Sequence, residues 1–374
     1  MHRWDVGVTA QNESRSFNGM RGVVGVKGLL FRAATRMLFH SHAMGVANRF
    51  ANVYDLSGDG AAPGFPYIRK RRGRNLQILI YHRVNDEGDR FFPGIPTGVF
   101  AQQMEYLASQ WNVLPLEEAL ERLKRQDVPD NAIVITFDDG YRDNFLMAFP
   151  ILRRLSLPAT IFLATGVIGT GLALWHDRVF SAFRETRVPV LTGMPNEHDQ
   201  YDLQTIAHKL AAQGKILRFI WSLGEDDRTR WIDQLVLQLN VSGHQGDSRV
   251  MLTWDEIRLM HSQGISFGAH TVTHPILSRL SLPRAVEELL QSKAAIEREL
   301  QAPASAFAYP IGRQEDYSED TKRLVQEAGY TCALTTVPGT NTARTDPFAL
   351  RRATPWDEDI SAFAFRLNYF KLAS

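Results

Sequence analysis

Cysteine is almost absent. Cys332 is the only one in 374 residues, which excludes an intramolecular disulfide and leaves the redox compartment unspecified. It lies in the strand-like run Tyr330-Thr-Cys-Ala-Leu334, where a buried, inert thiol is expected. Long hydrophobic runs are missing too, since none approaches the ~20 apolar residues of a membrane-spanning helix. Residues 1–21 are polar and lack the apolar core of a secretory signal. The best signal-like segment, residues 22–39, is interrupted by Lys27, Arg32 and Arg36. Export is therefore unsupported, and a cytoplasmic or membrane-peripheral location is expected. An excess of either charge is lacking as well, with a net charge of +1, and no nucleic-acid-binding motif accompanies the basic run Arg69-Lys-Arg-Arg-Gly-Arg74. Nucleic acid is not an expected partner.

What is present is an ordinary globular composition, 44% apolar and 22% charged, which excludes disorder throughout. The near-neutral total hides an asymmetry. Residues 1–75 hold twelve Lys/Arg against four Asp/Glu, so a basic leader precedes a mildly acidic remainder. Between Lys27 and Phe39, apolar residues recur at helical spacing. The segment reads either as a basic amphipathic helix lying on a membrane surface or as one packed on the main domain. Residues 57–66 form a Gly/Pro/Ala linker, so residues 1–75 are expected to be an extension and linker.

From Leu76 onward, short β-branched runs alternate with helical patterns, which predicts an α/β architecture with parallel strands. Strands are expected at 76–82, 133–139, 159–163, 264–270, 305–309, 331–335 and 348–352. Helices are expected at 100–111, 115–126, 143–155, 254–263, 284–300 and 318–328. Thr253 and Glu256 form a capping-box signature ahead of the helix at 254. Residues 167–250 break the rhythm with Trp175, Trp221 and Trp231 in helical-looking segments, and read as a mainly helical insertion. His176, within it, is a further residue that could approach a site.

The stretch Ile133-Val-Ile-Thr-Phe-Asp-Asp-Gly-Tyr141 is a buried-strand pattern that stops at two carboxylates and a glycine. Adjacent side chains on a strand point oppositely, so Asp138 and Asp139 share a site only if the chain turns, which Gly140 permits. Such a pair suits a metal ligand beside a base; capping of the following segment is the other reading. A second run, Gly264-Ile-Ser-Phe-Gly-Ala-His270-Thr-Val-Thr-His274, ends in two imidazoles four residues apart, a spacing that lets both face one metal. Two more strand patterns end the same way, at His82 and at Tyr309-Pro-Ile-Gly312. In parallel α/β barrels such ends share one rim, where active sites are built.

Thr136-Phe-Asp-Asp-Gly140 and His270-Thr-Val-Thr-His274, in this order, resemble the signature motifs of the NodB-like polysaccharide deacetylases, the carbohydrate esterases of family 4. The Tyr81-His82 dipeptide resembles the branch acting on poly-N-acetylglucosamine-type exopolysaccharides. The resemblance implies a distorted (β/α)7 barrel in residues 76–166 and 251–365, interrupted by the insertion at 167–250. It implies hydrolysis of N-acetyl groups on an N-acetylhexosamine-containing polysaccharide or precursor. Asp138 would be the catalytic base, with Asp139, His270 and His274 holding a divalent metal. Zn2+ is favoured, while Co2+, Ni2+ and Fe2+ also suit the set. The turn Tyr309-Pro310-Ile311 would supply an oxyanion donor through the Ile311 amide. Two departures are evident. The arginine usual two residues before that proline is replaced by Ala308, so Arg352, or failing it Arg351, is expected to orient the base. The usual late Leu-x-His is missing, because Leu334 is followed by Thr335-Thr336, so His82 is the expected general acid. A de-O-acetylase or deformylase of the same fold, or a weakly catalytic carbohydrate-binding or assembly protein, are the competing expectations. The N-acetylated glycan is the expected partner, with peripheral membrane contact through the leader.

Overall fold

The structure is a computed structural model that describes residues 54–55, 69–70, 75–193, 200–241, 250–355 and 357–372. The segment Lys27–Phe39 lies outside them, as do most of the run at 69–74 and the connections at 194–199 and 242–249. Tyr54–Asp55 pairs antiparallel with Arg69–Lys70 ahead of the main fold.

In chain order the main fold begins with β1 (Gln77–Tyr81), α1 (Thr97–Gln110), β2 (Asn112–Val113), α2 (Leu116–Arg125), β3 (Ala132–Phe137), α3 (Phe149–Arg154) and β4 (Thr160–Leu163). The stretch expected from sequence to be an insertion follows, with α4 (Trp175–Glu185), an antiparallel ribbon of β5 (Val190–Leu191) and β6 (Tyr201–Asp202), α5 (Ile206–Ser222) and α6 (Glu225–Gln238). Then come α7 (Trp254–Ser262), β7 (Ser266–Ala269), α8 (Leu282–Leu300), β8 (Ala306–Ala308), α9 (Glu319–Glu327), β9 (Cys332–Leu334) and α10 (Ile360–Leu372). The main sheet is parallel throughout, in the order β9-β8-β7-β4-β3-β1, with β2 also pairing β3.

Local chemistry explains the elements. Every residue of β3 is buried and most are β-branched or aromatic, as a strand covered on both faces requires. Helix α2 has Glu117 and Glu118 in its first turn and Arg122, Lys124 and Arg125 in its last, each opposing the backbone dipole. The capping box of α7 is present, with Glu256 N–H donating to Thr253 Oγ1 at 3.2 Å and Thr253 N–H to Glu256 Oε2 at 2.9 Å.

Strand alternation divides the core. Leu79, Ile133, Ile135, Ile161 and Phe307 join the large cluster beneath the outer helices. Their neighbours Ile78, Val134, Phe162, Ala306, Ala308 and Leu334 form a second cluster inside the curl, with Leu116, Ala119 and Leu123 of α2. The insertion has its own cluster, including Phe183, Ile216, Ile220, Ile232 and Leu235. It packs as a small helical body.

Two expectations need correction. Phe348–Arg352 is not a strand, because it touches the sheet only through isolated bridges. Even so, Leu350 N–H donates to Ala333 O and Ala353 N–H to Ile78 O, so this irregular segment joins β9 to β1 and bridges the sheet edges. The expected helix at 143–155 opens as a π-helical turn, Asn144–Ala148, before α3. Asn144 is tied there by bonds from its side chain to the His82 carbonyl (2.8 Å) and Asp143 (3.1 Å).

Candidate active site

All strands of the main sheet run the same way, so the residues following β1, β3, β7 and β8 meet at one rim. Asp138 and Asp139 follow β3, and the chain turns there through positive φ at Asp139 (76°) and Gly140 (85°). A side chain at Gly140 would meet Leu163 Cδ2 at 2.8 Å, so the turn needs glycine for space as well as for backbone freedom. The turn sends the two carboxylates to different partners.

Asp138 is clasped by Arg352. Arg352 Nη1 donates to Oδ1 and Nη2 to Oδ2, both at 2.7 Å, and neither residue is more than 1% exposed. Nε also donates to the Thr335 carbonyl at 2.7 Å. Burial works to raise the Asp138 pKa, but the Arg352 charge, joined by His270 and the bonds from Arg352, pulls it below the ordinary carboxylate value. Asp138 is therefore an ionised, fixed carboxylate. Ala308, also buried, is one of the small side chains lining the interior of the curl.

Asp139, His270 and His274 form a separate group whose ligand atoms lie within 4.8 Å of one another, all buried. Asp139 Oδ1 is 3.2 Å from His274 Nε2 and 3.5 Å from His270 Nε2. His270 Nδ1 lies 2.7 Å from the Ala308 carbonyl, which only accepts, so the proton sits on Nδ1 and Nε2 keeps its lone pair. Burial pushes the His270 pKa down to about 4, leaving the neutral, ligand form at neutral pH. Burial acts to raise the Asp139 pKa, yet His274 beside it and the nearby His82 and His176 hold it far below the usual range. Asp139 Oδ1 and His274 Nδ1 have no hydrogen-bond partner among the described residues. Two imidazoles and a carboxylate converging without enough donors between them fit a divalent cation.

The loop carrying the two histidines is held from behind. Thr271 and His274 have positive φ (67° and 59°), a cost that surrounding contacts must offset. Glu288 of α8, 1% exposed, accepts from the backbone N–H of Val272 (2.7 Å) and Thr273 (2.9 Å) and from Thr273 Oγ1 (2.8 Å). Trp175 Nε1 donates to the His274 carbonyl at 3.0 Å.

His82 stands at the end of β1, near enough to both carboxylates to lower their pKa values. Its Nδ1 is buried without a partner among the described residues. Asp143 fixes the segment after it, accepting from Arg83 Nε and Asn85 Nδ2 at 2.8 Å each. Pro310, Ile311 and Gly312 turn at the end of β8, with φ of 60° at Ile311 and 67° at Gly312. The Ile311 N–H makes no hydrogen bond among the described residues, while the Ile311 carbonyl accepts from Thr336 Oγ1 at 2.7 Å. The Tyr309 side chain belongs to the core, stacked on Tyr317 and donating to the Phe348 carbonyl. Arg351 is exposed and does not join this cluster.

Sequence reasoning left open what the insertion brings. His176, at the start of α4, sits with Nε2 4.0 Å from Asp139 Oδ2 and its ring 5.0 Å from that of His274. Tyr141 ties it in place: its hydroxyl lies 2.9 Å from His176 Nε2 and donates to Asp177 Oδ1 at 2.9 Å. The only sequence signal for this was a tyrosine next to the acid pair and a Trp-His-Asp at a helix start.

A curled, parallel sheet carrying an acid pair and a histidine pair on one rim is the form of a NodB-like (β/α) barrel. The family model "Polysaccharide deacetylase" matches residues 125–333, and the chain belongs to that family. Among its relatives is the Bacillus subtilis (strain 168) protein YxkH, named as a polysaccharide deacetylase, 23% identical over 288 residues, which are 76% of this chain and 73% of that protein. The poly-β-1,6-N-acetyl-D-glucosamine N-deacetylase of Staphylococcus aureus (strain MRSA252) is 26% identical over 150 residues, covering 39% of this chain and 51% of that one. Two solved structures share the fold. The deacetylase PplD of Streptococcus pyogenes, in complex with acetate, has a TM-score of 0.52 at 20% identity, covering 76% of this chain and 93% of that one. IcaB from Ammonifex degensii has a TM-score of 0.51 at 19% identity, covering 78% and 98% respectively.

Proposed function

We propose that this polysaccharide deacetylase is a metal-dependent hydrolase that removes N-acetyl groups from an N-acetylhexosamine-containing polysaccharide or exopolysaccharide precursor. The observation that carries the reading is the division of labour within the acid pair. Asp138 is clasped by Arg352 and kept from the histidines, whose nearest approach is 3.9 Å, while Asp139 lies among them. Asp139, His270 and His274 would hold the metal, and Zn2+, Co2+, Ni2+ or Fe2+ suits such a set. When bound, it supplies Lewis-acid polarisation of the acyl oxygen and of the attacking water.

The chain's own residues supply the rest. Asp138, ionised and immobile, accepts the proton of the water that attacks the acyl carbon. The Ile311 N–H, open among the described residues, donates to the oxyanion that develops there. His82 protonates the leaving amine. Arg352 never touches substrate; it keeps Asp138 charged and aimed. Residues 76–166 and 251–365 would form the catalytic barrel and residues 167–250 its insertion, with Trp175 and His176 as a wall of the cleft.

The test is acetate release from N-acetylglucosamine oligomers, set against release from O-acetylated oligosaccharides. Wild-type protein should release acetate from the N-acetyl substrate, Asp138→Asn should reduce turnover by orders of magnitude, and His82→Ala should lower it with Asp138 intact. Release only from the O-acetyl substrate would overturn the amide assignment.

A further inference from the structure

The insertion meets arginines of its own helices and of the barrel. Two of its tryptophans each carry one. The Arg228 guanidinium lies 5.1 Å from the centre of the Trp175 ring, and that of Arg313 lies 4.4 Å from Trp221. Arg313 is answered by Glu315 at 3.2 Å and Asp316 at 3.3 Å. Arg228 is not answered. Among the described residues its guanidinium makes no hydrogen bond and no ion pair, although the residue is only 5% exposed. Proteins pair or hydrogen-bond buried charges because leaving one alone is costly.

A second free cation stands nearby. Arg279, exposed on the loop after His274, donates to the Trp221 carbonyl and forms no ion pair among the described residues. Burial lowers the Arg228 pKa, Glu225 and Glu288 push it back up from beyond ion-pair distance, and Arg279 repels it. Among the described residues no anion is bonded to either guanidinium.

Their place relative to the reaction is fixed by shared partners. Trp175, which carries Arg228, also bonds the His274 carbonyl. Glu225, one turn before Arg228 on the same face of α6, accepts from Thr273 Oγ1 at 3.1 Å. Arg228 is therefore a single side chain removed from the loop that bears His270 and His274.

We infer that Arg228 and Arg279 form an oxyanion subsite beside the candidate active site, which takes a carboxylate or phosphate carried by the glycan next to the sugar that loses its acetyl group. The guanidinium fork matches both oxyanions and prefers them to a neutral hydroxyl. An anion placed there would pair the buried charge and relieve the repulsion between the two arginines. The preferred substrate is then an acidic glycan or a phosphate-bearing precursor. This rests on the glycan reading above and narrows it.

The test is calorimetric binding to the full-length protein. One pair of probes is a tetrasaccharide alternating N-acetylglucosamine with glucuronic acid and the neutral N-acetylglucosamine tetramer. The other is N-acetylglucosamine 1-phosphate and N-acetylglucosamine. At least one acidic probe should bind about tenfold or more tightly than its neutral counterpart, the scale of one charge-assisted contact. The probe that shows the advantage identifies carboxylate or phosphate as the source. Arg228→Met and Arg279→Gln should each cut that advantage to within about twofold, and added salt should shrink it. Arg228→Met keeps the apolar stem against Trp175 and deletes an unpaired charge, so its Tm should hold or rise. Neither acidic probe outbinding its neutral counterpart, an advantage that survives both substitutions, or a fall in Tm for Arg228→Met would overturn the inference. Binding is read without turnover, so an inactive protein that prefers acidic probes would fail the deacetylase reading and keep this one.

Discussion

Replacing Arg352 with Met should unclasp Asp138 at nearly constant volume. The pair is buried to within 1% on both sides, and each carboxylate oxygen would lose a 2.7 Å charge-assisted bond. Breaking a buried pair by removing one partner costs about 3–5 kcal/mol, mostly because the remaining charge is stranded. The pH dependence should change sign as well. In the wild type the Asp138 pKa is held below its ordinary value of 3.8. Its contribution to stability is thus present above that value and lost as the pH falls toward the folded pKa. Without the guanidinium, burial raises the pKa, so the variant is penalised as the pH rises above about 4 and spared when the carboxyl is protonated. Urea unfolding followed by tryptophan fluorescence should show a lower midpoint at pH 7 with an unchanged slope, and a gap that narrows on acidification. Adding Asp138→Asn should recover a large part of the loss, so the double-mutant cycle should be strongly non-additive. A loss below about 1 kcal/mol at pH 7, or an additive cycle, would refute the clasp as the support of Asp138.

Further outcomes follow from the same geometry. Glu288→Ala removes three bonds to the loop that bears the two histidines, and metal affinity in chelator competition should fall about 10- to 100-fold, as for other groups that orient ligands. An unchanged affinity with a lower apo-protein Tm would make Glu288 structural only. In Gly312→Ala, the new Cβ would lie 2.9 Å from the Tyr309 carbonyl in a backbone with φ of 67°, and unfolding should show a loss of about 1–3 kcal/mol. Burial pushes the Cys332 thiol up to about 12, so iodoacetamide at pH 8 should label it only after unfolding; rapid labelling of native protein would contradict its placement in the core.

The strands and the acid and histidine pairs were legible because their signals are local. A buried run such as Ile133–Phe137 announces itself by composition, and a turn residue such as Gly140 sits beside the group that it frees. The bond from Arg352 to Asp138 was anticipated through the resemblance, because Ala308 stands where the family usually has an arginine. The contribution of the insertion was legible only as the expectation that His176 could approach a site. His176 approaches Asp139 only because Tyr141 and Asp177 meet across the fold, and nothing in either segment encodes that meeting. Arg228 looks like any helix-surface arginine in sequence; its burial depends on Trp175, 53 residues earlier. The segment at 348–352 misled because β-like composition cannot distinguish a strand from a strap bonded to two edges. The Tyr309 side chain turned into the core because the strand alternation that aims one residue at the site aims its neighbour away.

Asp139, His270 and His274 are proposed to hold one divalent metal that acetate release requires. Elemental analysis of the purified protein reloaded with Zn2+, Co2+ or Ni2+ should be run beside the acetate assay, on wild type and on His270→Ala. About one equivalent of metal in the wild type is predicted, with metal and acetate release lost together in the variant. A wild type that takes up no metal after reloading, or a His270→Ala protein that keeps both metal and activity, would contradict it.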